Sequence, residues 1–246
     1  MTTGTDPSTE LSVTDLDPVT ALDPAFAQMT AATVQHAWAV PELTTREKVF
    51  LCVVADVCQG SLGLPFELHV REGLASRVST GDIRALLRFI SYDSGYSAAL
   101  AALDRLAEIE VAAGLPRPTT DLLDADLVDT GPGAAPSPLP EPVRDKLREL
   151  DPHFAEYFDL QSRMRTGYGP GTLTVRERAF TTMSVDVHYQ TLDDTFRIHT
   201  NRALTDGASH DDVRAVLRFN AQFGATRAWR AWQALNAYLA GLNPTG

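Results

Sequence analysis

The sequence predicts an all-α chain built from two copies of one helical unit, and three observations predict it. Shifting the chain by 130 residues lays LTTREKVF (43–50) on LTVRERAF (173–180). Between 43–89 and 173–219, 18 of 47 positions are identical, where chance would give roughly one in fifteen. Both copies carry the same helix-start signals at the same places. No alternating run of β-branched residues is long enough for a sheet.

The elements follow in chain order. Residues 1–18 read as an acidic tail without order of its own, and the first repeat unit occupies 19–113. In it Thr44-x-x-Glu47 has capping-box form: the threonine oxygen accepts a first-turn N–H while the glutamate reaches back. Apolar residues at helical spacing then run to about 60. A second helix covers roughly 65–76. Ser79-x-x-Asp82 opens a third through Leu86, Leu87 and Phe89, and a fourth spans about 95–112. Residues 114–142, GLPRPTTDLLDADLVDTGPGAAPSPLPEP, are rich in Pro, Gly and Asp and read as an extended linker. The second unit, 143–246, repeats the plan: Thr174-x-x-Glu177, a helix over 193–205, Ser209-x-x-Asp212, and a last helix over 225–240. LDPAFAQM (22–29) answers LDPHFAEY (150–157) upstream of both.

Charge placement excludes some functions. The net charge of −11 comes from 1–42 and 110–141, which leaves the two units near neutral. No basic face suits nucleic acid. No run approaches the ~20 apolar residues of a membrane helix, and MTTGTDPSTE has the features of no export signal. Two cysteines, Cys52 and Cys58, make no disulfide framework and fit a reducing compartment. A cytoplasmic protein is expected, without nucleic-acid or membrane partners. Apolar residues on more than one face of 95–109 point to a homo-oligomer, dimer or trimer.

The order of short motifs carries a resemblance. Arg46-Glu47, FELHV (66–70) with His69, SxxDI (79–83) and Tyr-x-x-Gly-Tyr (92–96) are repeated as Arg176-Glu177, FRIH (196–199), SxxDV (209–213) and Phe223-Gly224. This series resembles γ-carboxymuconolactone decarboxylases and the related alkylhydroperoxidase-D-like proteins over about 20–112 and 148–240. The resemblance implies an oligomeric all-α fold, commonly a trimer or hexamer of single-repeat subunits. The peroxide-reducing branch of that group uses a Cys-x-x-Cys pair before the helix histidine. Here those places hold Leu62 and Pro65, and Leu192 and Thr195, so a disulfide cycle has no resolving thiol.

Acid–base chemistry without redox remains. Glu177, Thr181, Ser184 and His188 fall on one helical face, where the first unit has Glu47, Leu51, Val54 and Cys58. The resemblance brings His199 from the next helix to the same pocket. A carboxylate and imidazoles around an apolar cavity can move a proton between carbon and oxygen. His199 is expected as principal base or acid, with Glu177 and His188 as partners. His69 and Glu47 take matching roles if the first unit is active. Thr181, Ser184 and Tyr189 are expected to meet the substrate, a small organic acid, lactone or polyketide-like carbonyl compound. The reaction is a decarboxylation, dehydration, cyclisation or isomerisation, and no cofactor or metal is expected. Two alternatives stand beside it: a thiol-dependent, peroxidase-like reductase using Cys58, and a non-catalytic oligomeric ligand-binding protein. Glu47 and Glu177 also have a purely capping reading, and Thr181 and Ser184 one in which they bond back to their own helix. Arg84, Arg88, Arg214 and Arg218 are expected on an outer face, His36, His153 and His210 at the surface, and Trp229 and Trp232 in the core.

Overall fold

The computed structural model describes residues 17–119, 121–131, 134, 138–166 and 173–242. The expected tail lies outside them except for Asp17 and Pro18, which open the first helix. Among the described residues there is no strand, and no helix is long and apolar enough to cross a membrane.

The first half contains α1 (Asp17–Leu22), α2 (Pro24–Trp38), α3 (Thr45–Gln59), α4 (Leu64–Ala75), α5 (Thr80–Ser94) and α6 (Tyr96–Ala112). A short helix, α7 (Ala125–Val128), follows. The second half contains α8 (Glu141–Leu150), α9 (Pro152–Thr166), α10 (Val175–Tyr189), α11 (Asp194–Thr205), α12 (His210–Asn220), a 3-10 turn (Ala221–Phe223) and α13 (Ala225–Leu242). Thr44, Thr174, Ser79 and Ser209 each close a capping box with the acid three residues on. The Leu-Asp-Pro motifs are helix starts too: Asp23 accepts from the Phe26 N–H and Asp151 from the Phe154 N–H, while Pro24 and Pro152 take the first helical position.

α3 and α10 form the centre. Every residue from Glu47 to Val57 is buried, as is every residue from Ala179 to His188. α4, α5 and α6 pack on α3, and α11, α12 and α13 pack on α10, while α5 also reaches α10 and α12 reaches α3. One apolar core therefore runs through both halves. α4 sits so close to α3 that a Cβ at Gly73 would lie 2.9 Å from Val49 Cγ1.

α3 and α10 run parallel. Their first turns are joined by reciprocal pairs, Arg46 Nε to Glu177 Oε1 and Arg176 Nε to Glu47 Oε1, both 2.7 Å. Their last turns meet where Cys58 and Tyr189 stand beside one another. Arg46 also pairs with Asp82 at 2.9 Å and Arg176 with Asp212 at 3.0 Å, so each arginine locks its own half to the other.

Some expectations need correction. Trp229 is 64% exposed and Trp232 only partly buried, because α13 turns its alanines inward at Ala228 and Ala231. Arg84 does not face solvent: it grips the buried Glu110 with two bonds of 3.0 and 2.6 Å and ties α5 to α6. The segment 114–142 holds α7, which packs on α9, and Arg163 Nη2 donates to the Asp129 carbonyl.

Candidate functional site

Each half holds one histidine clamped by one aspartate. His69 Nδ1 is 2.7 Å from Asp56 Oδ2, and His199 Nδ1 is 2.6 Å from Asp186 Oδ2. Both aspartates stand thirteen residues before their histidine, on the last turns of α3 and α10, and both are 3% exposed. A buried carboxylate must be hydrogen-bonded or paired, and a 2.6–2.7 Å bond to imidazole satisfies that here. The bond also fixes the ring: with Nδ1 held by carboxylate, Nε2 is the nitrogen that meets a substrate. Asp56 and Asp186 were missed in the sequence reading, although they are identical across the 130-residue shift and sit in DVC (56–58) and DVH (186–188).

The two glutamates stand elsewhere. Eleven residues of helix are about 16 Å of axis, so Glu177 and His188 share a face at opposite ends. Glu47 and Glu177 cap their helices and receive Arg176 and Arg46. The structure does not bring either carboxylate to an imidazole.

The polar stripe on α10 is satisfied within the protein. Thr181 Oγ1 donates to the Glu177 and Arg178 carbonyls at 2.8 and 3.0 Å. Ser184 Oγ donates to Asn220 Oδ1 at 2.8 Å, and Asn220 passes its own N–H to the Val216 carbonyl. Neither hydroxyl is aimed at an open space, which follows from the habit of Ser and Thr to bond back within helices.

His188 and Tyr189 do reach the histidine end of the bundle. His188 Nδ1 takes a hydrogen bond from Arg227 at 3.1 Å, and its ring lies 6.0 Å from Phe223. Phe223 also stands edge-on to His69 at 6.1 Å, so residues of the second half wall the imidazole of the first. The converse holds at His199: Asp93, from α5, lies in the field of His199 and Asp186 and is paired with Arg165 Nη2 at 2.7 Å. Each candidate centre is thus built from both halves.

Burial sets the charge states. It lowers His188 to about 4, helped by the Arg227 charge, so that imidazole is neutral at pH 7. Burial also pushes the Cys58 thiol up to about 12, only partly offset by its hydrogen bond with Tyr189. Tyr189 rises to about 12, by burial and by the neighbouring Cys58. Asp93 is raised by burial against the pull of Arg165. Burial works against a charged His69, yet Cys52 and Asp56 together hold it well above the ordinary histidine value.

No group of three or more His, Cys, Asp or Glu able to hold a metal ion occurs among the described residues. Two surface cavities lie apart from both imidazoles. One of about 360 Å³ is lined by Glu67, Arg71, Arg105 and Ile109, and one of about 330 Å³ by Leu87, Ser91, Tyr96 and Leu103.

The architecture is an all-α bundle that carries a pair of clamped histidines at one end of two parallel central helices. Among solved structures the chain is similar to a protein of Burkholderia xenovorans LB400 provisionally assigned as a gamma-carboxymuconolactone decarboxylase subunit. The TM-score is 0.50, with 18% identity over 94% of this chain and 91% of that one. At that identity the likeness shows the fold: the chain has a carboxymuconolactone-decarboxylase-like fold. No family model matches the sequence, and no curated protein matches it.

Proposed function

We propose that the chain is a tandem duplication acting as an acid–base enzyme without a cofactor, of lyase or isomerase type. Its substrate is a small organic acid, lactone or polyketide-like carbonyl compound. The observation that carries this reading is the 2.6 Å bond from Asp186 to the buried His199. Asp186 fixes the imidazole so that Nε2 faces the reacting carbon, and stabilises the imidazolium that forms when His199 removes a proton. The proton then returns to carbon or oxygen, which serves decarboxylation, dehydration or isomerisation alike. Asp93 and Tyr189 border this centre and are assigned to positioning. Glu177 and Glu47 are assigned to holding α3 against α10, and Thr181 and Ser184 to the interior of their own half.

The thiol-reductase reading loses ground on one fact. A thiol pushed up to about 12 is protonated at neutral pH and makes a poor nucleophile. To test the proposal, the protein is incubated in deuterated water with a panel of β-keto acids and lactones, and exchange at the acidic carbon is followed by NMR. Exchange should fall at least about a hundredfold in His199→Ala, and far less in His69→Ala. Equal loss in both, or loss in His69→Ala alone, would move the reaction out of the second half.

A further inference from the structure

The two halves exchange arms. α2, from the first half, packs on α12 and the Ala221–Phe223 turn of the second, and α9, from the second half, packs on α5 of the first. Each arm is seated through a small residue, since Ala27 and Ala155 are buried.

The outer sides of the arms are apolar in the same pattern. Leu22 closes α1, and Phe26 and Met29 follow on α2; Leu150 closes α8, and Phe154 and Tyr157 follow on α9. Each of the six is 48–78% exposed. Phe26 and Met29, like Phe154 and Tyr157, stand three residues apart and are neighbours on the helix surface. A single exposed leucine or phenylalanine is ordinary. Three large apolar side chains that stay open at matching places in both halves form a patch, and such patches mark interaction sites.

We propose that these two stripes are the surfaces through which the chain binds further copies of itself. The open parts of the six side chains come to roughly 700 Å², close to the ~800 Å² per partner that a stable interface buries. The occupant follows from the repetition. A stripe carried twice gives every copy two matching surfaces, as association between identical chains requires, whereas a different partner needs the surface once. A lipid surface fits badly. α1 and α2 contain no Lys or Arg and carry Asp17, and Glu149 and Asp151 flank Leu150, so anionic headgroups repel both stripes.

The inner sides of the arms reach the candidate centres. α2 rests on the turn that holds Phe223, edge-on to His69 at 6.1 Å, and Arg165 of α9 pairs with Asp93 at 2.7 Å. Association on the outer sides holds both arms in place over these contacts.

The test compares the full chain with a Phe26→Glu, Phe154→Glu double variant by light scattering at micromolar concentration, with helicity checked by circular dichroism. The unaltered protein should give a multiple of 26.7 kDa, and the double variant should fall to the single-chain mass. Hydrogen–deuterium exchange of the unaltered protein, read at falling concentration, should lose protection over 19–30 and 147–158, which decides the matter even if the variant fails to fold. A single-chain mass for the unaltered protein, a double variant that keeps the native mass, or protection indifferent to concentration would each overturn the proposal. Flotation of the unaltered chain with phosphatidylcholine–phosphatidylserine vesicles would overturn it too, and would assign the stripes to a lipid surface. Mass and protection are read without substrate, so the acid–base reading can fail while the assembly stands.

Discussion

At the scale of single residues, the aspartates decide most of what the histidines can do. Asp186→Asn keeps the shape but loses the charge that steadies an imidazolium, so exchange should fall by at least about tenfold with helicity unchanged, measured beside His199→Ala. His188 and His69 should show opposite pH behaviour. The His188 value of about 4 lies below the ordinary 6.5, so between those values the native state binds fewer protons than the unfolded chain. Its contribution is complete above pH 6.5 and is lost as pH falls toward 4, a change of about 3 kcal/mol. Urea unfolding across that range should flatten in His188→Gln. His69 is raised, so its contribution is present below 6.5 and is lost as pH rises through its folded value; NMR titration of Asp56→Asn should show that value fall. The histidines stood out within repeated motifs, whereas Asp56 and Asp186, though repeated in the same register, carried no sign of their partners. A polar stripe at helical spacing drew the reading toward Thr181 and Ser184, and spacing along one helix does not reveal that α4 or α11 lays an imidazole beside a particular carboxylate.

At the scale of helices, the capping boxes turned out to have a second task. Glu47 and Glu177 are buried to 4% and 7% exposure, and removing the arginine that faces either leaves a carboxylate poorly compensated. Because Arg46 and Arg176 are about a third exposed in their side chains, the loss for Arg46→Ala or Arg176→Ala is about 1–3 kcal/mol rather than the full value of a buried pair. Chemical denaturation gives the figure, and Arg→Lys should recover only part of it, since the forked contacts need a guanidinium. Two turns differ between the halves in a complementary way. Gly60 ends α3 in the left-handed region, where α10 ends on Gln190 at φ 59°; Arg77 holds φ 65° where the second half has Gly207. Arg77→Gly should therefore stabilise by about 1 kcal/mol. Gln190→Gly should gain less, because Gln190 Nε2 bonds the Val187 and Arg227 carbonyls. The four helices common to both units were readable from caps and apolar spacing. α2 and α9 were noted only as matching motifs, although Asp-Pro at a helix start carries its own physical signal. Trp229 misled because a bulky aromatic suggests a core, yet the tight approach of α13 admits alanine and leaves the indole outside.

For the molecule as a whole, the apolar surface left open on one chain includes Leu22, Phe26, Met29, Leu100 and Trp229, each more than half exposed. Light scattering should accordingly give a mass of at least twice the 26.7 kDa chain; a single-chain mass at micromolar concentration would contradict the assembly. Subtilisin should cut first within 114–142, and the two fragments should stay together through the α3–α10 contact. That contact has an electrical consequence. Two helices lying side by side in the same direction add their dipoles, where an antiparallel pair would cancel them. Each contributes roughly half an elementary charge at its ends, so the bundle is polarised along its central axis. The positive pole falls where Glu47 and Glu177 sit, and their carboxylates complement it. The negative pole falls where Asp56 and Asp186 hold their rings. A cation created there by proton uptake lies in a favourable potential, and the Cys58 thiol, on the last turn of α3, has added reason to keep its hydrogen. Because α3 and α10 belong to one chain, that polarity is a fixed property of every molecule.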